Sequence, residues 1–320
     1  MALSQIKGQD RTIRFLKEYI KKSDLQRGLL FIGPEGIGKK SVAINLAKAI
    51  NCQQAQDDSC DLCLNCTRID KRQYPDFFLI EDSESESIKI DQIRQLKTQI
   101  YLKPYEAKIK VFILDNVHNL TSEAGNAILK ILEEPPQKSL IILITSTPYL
   151  LFKTIISRCQ IFRFYPLKRT ALKEMLIKEY KLDTYQAHFL AYFFEGRIGK
   201  TLTLKDTDIL NYKNRIIDEF LSEKIGDSQR ISFGNRQDLR NYINILLSWF
   251  RDLYLIKTGI RHSEIINIDR LDILLKTMNK YSFIELDQII NFLSDSLLYL
   301  EQNVNPKLLI SAIKTELWKT

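Results

Sequence analysis

Four of the five cysteines fall in one short window, Cys52, Cys60, Cys63 and Cys66, spaced C-x7-C-x2-C-x2-C, while Cys159 stands far off. A C-x2-C step places two thiolates on one tight turn, and four soft sulfur ligands suit tetrahedral zinc, which has no redox chemistry of its own. A closed four-sulfur site leaves no coordination position for water, so such a zinc folds a loop and does not catalyse. The competing readings are loop cysteines without a metal, or a redox pair. No histidine joins the cluster: His118, His188 and His262 are scattered and read as packing or surface residues.

A second chemistry precedes the cysteines. Gly33-Pro34-Glu35-Gly36-Ile37-Gly38-Lys39 fits G-x-x-x-x-G-K, the loop whose backbone N–H groups and following helix N-terminus surround phosphate oxygens. The glycines do not spell G-x-G-x-x-G, so a dinucleotide site is the poorer reading, and a ligand-free glycine turn is the other. The next position should carry Ser or Thr for Mg²⁺, but this chain has Lys40; Ser41, one step further along a helix, is rotated by about 100°. Asp115 ends Lys110-Val111-Phe112-Ile113-Leu114-Asp115, a Walker B pattern, and is followed by Asn116 where a catalytic Glu would orient water. An amide cannot polarise water as a carboxylate does. Thr145-Ser146-Thr147 ends another apolar run and reads equally as a γ-phosphate sensor or a turn. The expectation is a degenerate ATP site made by Gly33, Gly36, Gly38, Lys39 and Asp115, without hydrolysis of its own and with ATP itself a doubtful cofactor.

These residues need elements to position them. Gly28–Ile32 is an apolar strand feeding the loop, and Ala43, Leu46, Ala47 and Ile50 share one face of the helix after it. Further strands are expected over Lys110–Asp115, Ser139–Thr145 and Gln160–Tyr165, an alternation of strand and helix that predicts an α/β domain with a parallel sheet. Pro166 marks its end. Helical spacing over Arg169–Glu179 and Thr184–Phe194 predicts a small lid, and Ile209–Leu221, Asp238–Thr258, Asp269–Lys280, Ile284–Leu300 and Pro306–Trp318 predict an all-α domain. The expected boundaries are 1–165, with a zinc module at 52–66, then 166–204 and 205–320; 320 residues is too long for one ordinary domain. Hydrophobic residues at 45% exclude a disordered chain. No apolar run reaches the roughly 18 residues of a membrane span, and Met1–Asp10 lacks an export signal, so a cytoplasmic protein without membrane partners is expected. The formal charge of +8 permits a polyanionic partner without demanding one. Glu81-Asp82-Ser83-Glu84-Ser85-Glu86 reads as a solvated loop.

The order of motifs is specific. Ile6-Lys7-Gly8-Gln9, the P-loop, the cysteine insert, Tyr74-Pro75-Asp76, Asp115-Asn116-Val117-His118, then Asn126–Leu132 running into Glu133-Glu134-Pro135-Pro136, and finally Ser157-Arg158-Cys159, resemble the clamp-loader branch of the AAA+ ATPases. Trp249-Phe250-Arg251-Asp252-Leu253 and Asn303-Val304-Asn305-Pro306-Lys307 extend the likeness over nearly the whole chain. ATP-hydrolysing gamma/tau subunits of this family carry Ser/Thr, Glu and a sensor-2 arginine where this chain has Lys40, Asn116 and Gly199, the last in Gly196-Arg197-Ile198-Gly199, so the resemblance is to the delta prime type.

The resemblance implies a hetero-pentameric ring with gamma/tau and delta subunits that loads a sliding clamp onto primer-template DNA. It implies an all-α collar that closes the ring, and Arg158 as an arginine finger reaching a neighbour's γ-phosphate; an isolated arginine in a surface salt bridge is the alternative. Cys159 reads as a small buried residue. Two other functions stay open: an ATPase of the gamma/tau type, and a zinc-dependent nucleic-acid-binding module. The second is disfavoured because only Arg68, Lys71, Arg72 and Tyr74 flank the cysteines with basic or aromatic character.

Overall fold

The structure, a computed structural model, describes residues 2–21, 28–81, 87–222, 236–302 and 304–317. Residues 82–86 of the acidic stretch, Asn303 and Trp318 lie outside the described residues. Two compact units emerge, Met1–Leu167 with Arg197–Gly199, and Lys168–Gly196 with Lys200–Thr320. Among the described residues no helix is long and apolar enough to cross a membrane.

The first unit holds one five-stranded parallel sheet, β1 (Gly28–Ile32), β2 (Phe77–Ile80), β3 (Lys110–Leu114), β4 (Ser139–Thr145) and β5 (Cys159–Arg163), in the order β2-β3-β4-β1-β5. The three central strands are buried along their whole length, as a parallel sheet covered on both faces requires. Helices α1 (Asp10–Lys21), α2 (Lys39–Asn51), α3 (Leu64–Asp70), α4 (Ile90–Ile100), α5 (Ser122–Glu133) and α6 (Lys153–Ser157) complete the unit. One core joins Phe31, Leu46, Ile113 and Ile142 with α1 and α2 residues; the other joins Leu30, Phe112, Ile128 and Leu143 with α4, α5 and α6 residues. Strand side chains alternate between the two because their period is 2.

This strand order matters for the site. It sets β4 between β1 and β3, with Leu29 opposite Ile142 and Ile113 also opposite Ile142, so that the C-terminal ends of all three lie side by side. Ligands of open parallel sheets bind at those ends. The expected strand at 160–165 is Cys159–Arg163, and β2, at the sheet edge, is an element that periodicity alone did not mark. The Asp76 carboxylate, almost fully buried, accepts hydrogen bonds from the N–H groups of Tyr105, Glu106 and Ala107 at 3.0, 2.8 and 2.9 Å. It thereby pins the connection that delivers β3.

The second unit is helical: α7 (Arg169–Tyr180), α8 (Thr184–Phe193), α9 (Ile198–Leu204, whose first two residues belong to the first unit), α10 (Ile209–Leu221), α11 (Arg236–Lys257), α12 (Leu271–Thr277), α13 (Phe283–Glu301) and α14 (Pro306–Leu317). The 269–280 segment, expected as one helix, is α12 flanked by short 3₁₀ turns at Ile268–Arg270 and Met278–Lys280. α11 is its axis, burying Leu246, Trp249, Phe250 and Leu253 against α10 and α13 residues.

Asp252 on α11 is fully buried and fixes the 265–267 backbone, accepting from Ile266 N at 3.0 Å, Asn267 N at 2.7 Å and Asn267 Nδ2 at 2.8 Å. Burial pushes its carboxyl up to about 6, against those three hydrogen bonds. The folded chain therefore keeps a proton that the unfolded chain, with an ordinary value of 3.8, has released. Stability falls as pH rises from 4 to 6, by about 2 kcal/mol from this one group. Asp252→Asn lacks that dependence. In urea unfolding followed by tryptophan fluorescence, the free-energy difference between wild type and Asp252→Asn should shift by about that amount in favour of the variant between pH 4 and 6; a pH-independent difference would contradict the assignment.

Candidate functional site

The loop from β1 to α2 has the shape its glycines allow. Gly36 and Gly38 adopt φ of 75° and 94°, a left-handed backbone that side chains resist, and α2 starts with no side-chain cap on its free N–H groups. Lys39, on the first turn, is buried and folds back into the loop: Nζ donates to the carbonyls of Gly33 and Pro34 at 2.6 and 2.8 Å. Burial lowers its pKa to about 8, only partly countered by the charges of Asp115 and Glu35.

Asp115 follows β3, and the sheet order brings it to the same end as the loop. The expected set Gly33, Gly36, Gly38, Lys39 and Asp115 is thus drawn together. What faces Asp115 is the departure. Lys40 Nζ lies 2.9 Å from Asp115 Oδ2 and also donates to Glu81 Oε1, while Arg72 pairs with Glu81 Oε2 at 2.8 Å. Burial works against the Lys40 ammonium, but the bonds to Glu81 and Asp115 outweigh it and hold its pKa above the ordinary lysine value. Glu81 is held below the ordinary carboxylate range, because Lys40 and Arg72 overcome the opposing effect of burial.

Glu81 is a correction to the sequence reading, which placed it in a solvated loop. It follows β2 directly, and β2 runs parallel to β3 with Ile80 beside Leu114, so residue 81 emerges next to Asp115. Neither Arg72 nor Glu81 belongs to a recognisable motif; the pairing of β2 with β3 places Glu81, and Arg72 reaches it from the turn after α3. The site fits a magnesium nucleotide badly, since an ammonium sits on the carboxylate that would carry the metal.

The neighbouring positions differ from a hydrolytic site as well. Asn116 sits in the left-handed region at φ 53°, its N–H bonded to Asp115 Oδ1 at 3.1 Å. Thr145 is fully buried, its hydroxyl 3.2 Å from His118 Nδ1 and accepting from Thr147 N at 3.1 Å, so this hydroxyl at the strand end is already engaged. His118, read from sequence as a packing or surface residue, is the partner that engages it. Gly199 presses on the loop: its N–H donates to Gly36 O at 2.7 Å, and a Cβ there would lie 2.6 Å from that oxygen. No side chain, arginine included, fits at this position without displacing the loop.

Arg158 stands apart from this network. It caps α6, ahead of β5, and its guanidinium bonds Glu133 Oε1 at 2.7 Å and the Thr154 carbonyl at 3.1 Å. Glu133 opens the Glu-Glu-Pro-Pro segment at the end of α5. Both side chains are substantially exposed, at 34% and 50%, and such a pair contributes only about 0–1 kcal/mol. Cys159, beside it, has its thiol pushed by burial up to about 12, which leaves no thiolate at neutral pH.

The four expected cysteines do converge. The sulfurs of Cys52, Cys60, Cys63 and Cys66 all lie within 4.8 Å of one another, and all are free thiols. Cys52 ends α2 and Cys66 lies on α3; both are fully buried. Backbone N–H groups of Ala55 and Cys63 donate to Cys52 Sγ and Cys60 Sγ at 3.3 and 3.2 Å, bonds that stabilise negative charge on the sulfurs and hold them in place. Burial would raise the Cys52 thiol, but the N–H groups of Ala55 and Gln54 together with Cys60 hold it at about 6. A compact, all-sulfur, tetrahedron-sized donor set fits zinc.

The surrounding insert is tied to the sheet domain by charges that the spacing did not announce. The fully buried Lys48 ammonium on α2 reaches Asp61 at 2.6 Å and Asp70 at 3.0 Å. Asp58 accepts from Leu3 N, Ser4 N and Lys17 Nζ at 2.7, 3.0 and 2.8 Å.

A family profile described as DNA polymerase III, delta subunit, matches residues 8–168, half of the chain, and one described as DNA polymerase III, delta subunit, C terminal, matches residues 216–317. Among curated relatives, DNA polymerase III subunit delta' of Bacillus subtilis (strain 168) is 36% identical over 183 residues, 57% of this chain and 55% of that protein. Subunit gamma of Buchnera aphidicola subsp. Acyrthosiphon pisum is 34% identical over 203 residues, 62% of this chain and 56% of that protein. Subunit tau of Bacillus subtilis is 33% identical over 208 residues, covering 63% and 37%. The chain therefore spans about half, or less, of the length of these relatives. A solved DNA polymerase III gamma subunit-related protein from Thermotoga maritima superposes with a TM-score of 0.52 at 20% identity, over 96% of this chain and 99% of that one, which speaks for the fold. With a P-loop parallel-sheet domain followed by a helical region, and profiles matched in both, the chain belongs to the DNA polymerase III delta-subunit family of clamp-loader subunits.

Proposed function

We propose that this chain is the delta prime type of clamp-loader subunit: it hydrolyses no ATP itself and lends Arg158 to the nucleotide held by a neighbouring gamma/tau-type subunit. The observation that carries this reading is the Lys40 ammonium against Asp115, at 2.9 Å. Asn116 and the contact of Gly199 with Gly36 support it from two other positions. The gamma/tau reading draws on identities of 33–34% to relatives of that type, close to the 36% for delta'. The altered residues favour the first. Each is a position where hydrolysis needs a particular functional group.

In this reading the partners are gamma/tau and delta subunits in a hetero-pentamer, a sliding clamp and primer-template DNA, in the cytoplasm. The helices 166–204 act as a lid and 205–320 as the collar that holds the ring together. Arg158 suits the finger role because its present partner is cheaply surrendered: an exposed pair with Glu133 gives way to a desolvated phosphate, to which a guanidinium donates two parallel bonds. Zinc is held by Cys52, Cys60, Cys63 and Cys66, where it closes the insert and supplies no open coordination position.

Two measurements test this. In the reconstituted loader, Arg158→Ala should leave the assembly intact yet lower DNA- and clamp-stimulated ATP turnover by ~10³-fold or more at the site it faces, and an unchanged rate would remove the finger. For the metal, the purified chain should carry one zinc, and cobalt substitution should give sulfur-to-metal charge-transfer absorption. Chelation should lower the thermal midpoint by ~5 °C or more. Chelation that abolishes DNA binding while leaving the midpoint untouched would favour the nucleic-acid-binding alternative.

A further inference from the structure

In a working P-loop site, the hydroxyl after the P-loop lysine and the carboxylate at the end of the Walker B strand hold a magnesium ion between them. Here the same two positions are Lys40 and Asp115, and the space between the first turn of α2 and the end of β3 is bridged by an N–O contact of 2.9 Å. The ammonium is held there from two sides, by Asp115 and by Glu81, and Arg72 steadies Glu81 in turn. The rest of the cradle keeps its form: Gly36 and Gly38 are left-handed, the helix N-terminus has no side-chain cap, and Lys39 lies within the loop.

We infer that Lys40 is a tethered stand-in for the divalent metal, and that this residue, more than the shape of the loop, keeps metal-bound nucleotide out. Two kinds of physics act together. Magnesium requires near-octahedral oxygen ligands at about 2.0–2.1 Å, and Lys40 removes the hydroxyl that would supply one. Its charge also neutralises the carboxylate that would attract the ion, and like charges repel at that distance. A metal must expel a cation already paired with two acidic groups. Removing the ammonium while restoring the hydroxyl reverses both effects at once, and leaves Asp115 and Glu81 as two acidic neighbours for the incoming ion.

The inference rests on reading Asp115 as the metal-side carboxylate, and it is tested on the full zinc-loaded chain alone, so that its failure is separate from any failure of Arg158 in the assembled loader. Manganese, an oxygen-seeking ion like magnesium, is the probe. Mn²⁺ binding in the presence of ATP is followed by electron paramagnetic resonance for wild type, Lys40→Thr, Lys40→Ser and Lys40→Met. Wild type should bind no Mn²⁺ beyond that held by free ATP. Lys40→Thr and Lys40→Ser should gain protein-bound Mn²⁺–ATP at concentrations at least about tenfold below the highest at which wild type shows none, and Lys40→Met, which loses the charge without gaining a hydroxyl, should fall between. Equal binding by wild type and Lys40→Thr would overturn the inference. So would the absence of any gain in hydroxyl variants whose circular dichroism matches wild type.

Discussion

One contact organises the nucleotide end of this molecule: an ammonium from the first turn of α2 resting on the carboxylate at the end of β3. Two unlike elements, a helix start rich in unpaired N–H groups and a strand end carrying a negative charge, are brought edge to edge by the parallel sheet. A P-loop normally resolves that juxtaposition with a divalent ion and a polyphosphate. This chain resolves it internally. Lys39 turns its charge onto the loop's own carbonyls, and Lys40 satisfies Asp115 and Glu81. Burial works against both ammonium groups, yet their pKa values move in opposite directions for a clear reason. Lys39 has carbonyl acceptors but no carboxylate in contact, so its proton is loosened; Lys40 has two carboxylates, so its proton is held.

From that internal solution follows what is left for the fold to offer. The sheet still places the ends of β1, β3 and β4 together, yet three of the positions gathered there are engaged internally: Thr145 with His118, Gly199 with Gly36, Lys40 with Asp115. Arg158 is different. Its contacts are an exposed carboxylate and a backbone carbonyl, both readily exchanged, and it sits at the junction of α6 and β5 outside the closed network. Its place before β5 puts it at the end of the sheet opposite the loop, with Cys159 beside Gly28 and Arg163 beside Ile32, so any phosphate it meets belongs to another site than this chain's own.

Much of this was legible in the sequence. Strands β1 and β4 fall where apolar runs predict them, because buried parallel strands need no alternation and stand out as short uninterrupted runs. The cysteine spacing anticipated the sulfur cluster, since C-x2-C steps dictate local geometry whatever the rest of the chain does. Less legible was everything decided by strand pairing. Glu81 reads as the start of an acidic surface stretch until β2 is seen beside β3, and Arg72 has no motif at all. The charged ties of the insert, Lys48 with Asp61 and Asp70, join residues far apart in sequence and leave no periodic trace. The 269–280 segment breaks into 3₁₀ and α pieces that its helical spacing does not mark.

The central claim is that the chain's own nucleotide site is self-satisfied and holds no ATP in the working assembly. The direct measurement is a nucleotide count: equilibrium dialysis of labelled ATP, saturating and with Mg²⁺, against the reconstituted loader containing either the wild-type chain or Lys39→Ala. The account predicts the same number of ATP molecules per assembly in both. One fewer in the Lys39→Ala assembly would contradict it.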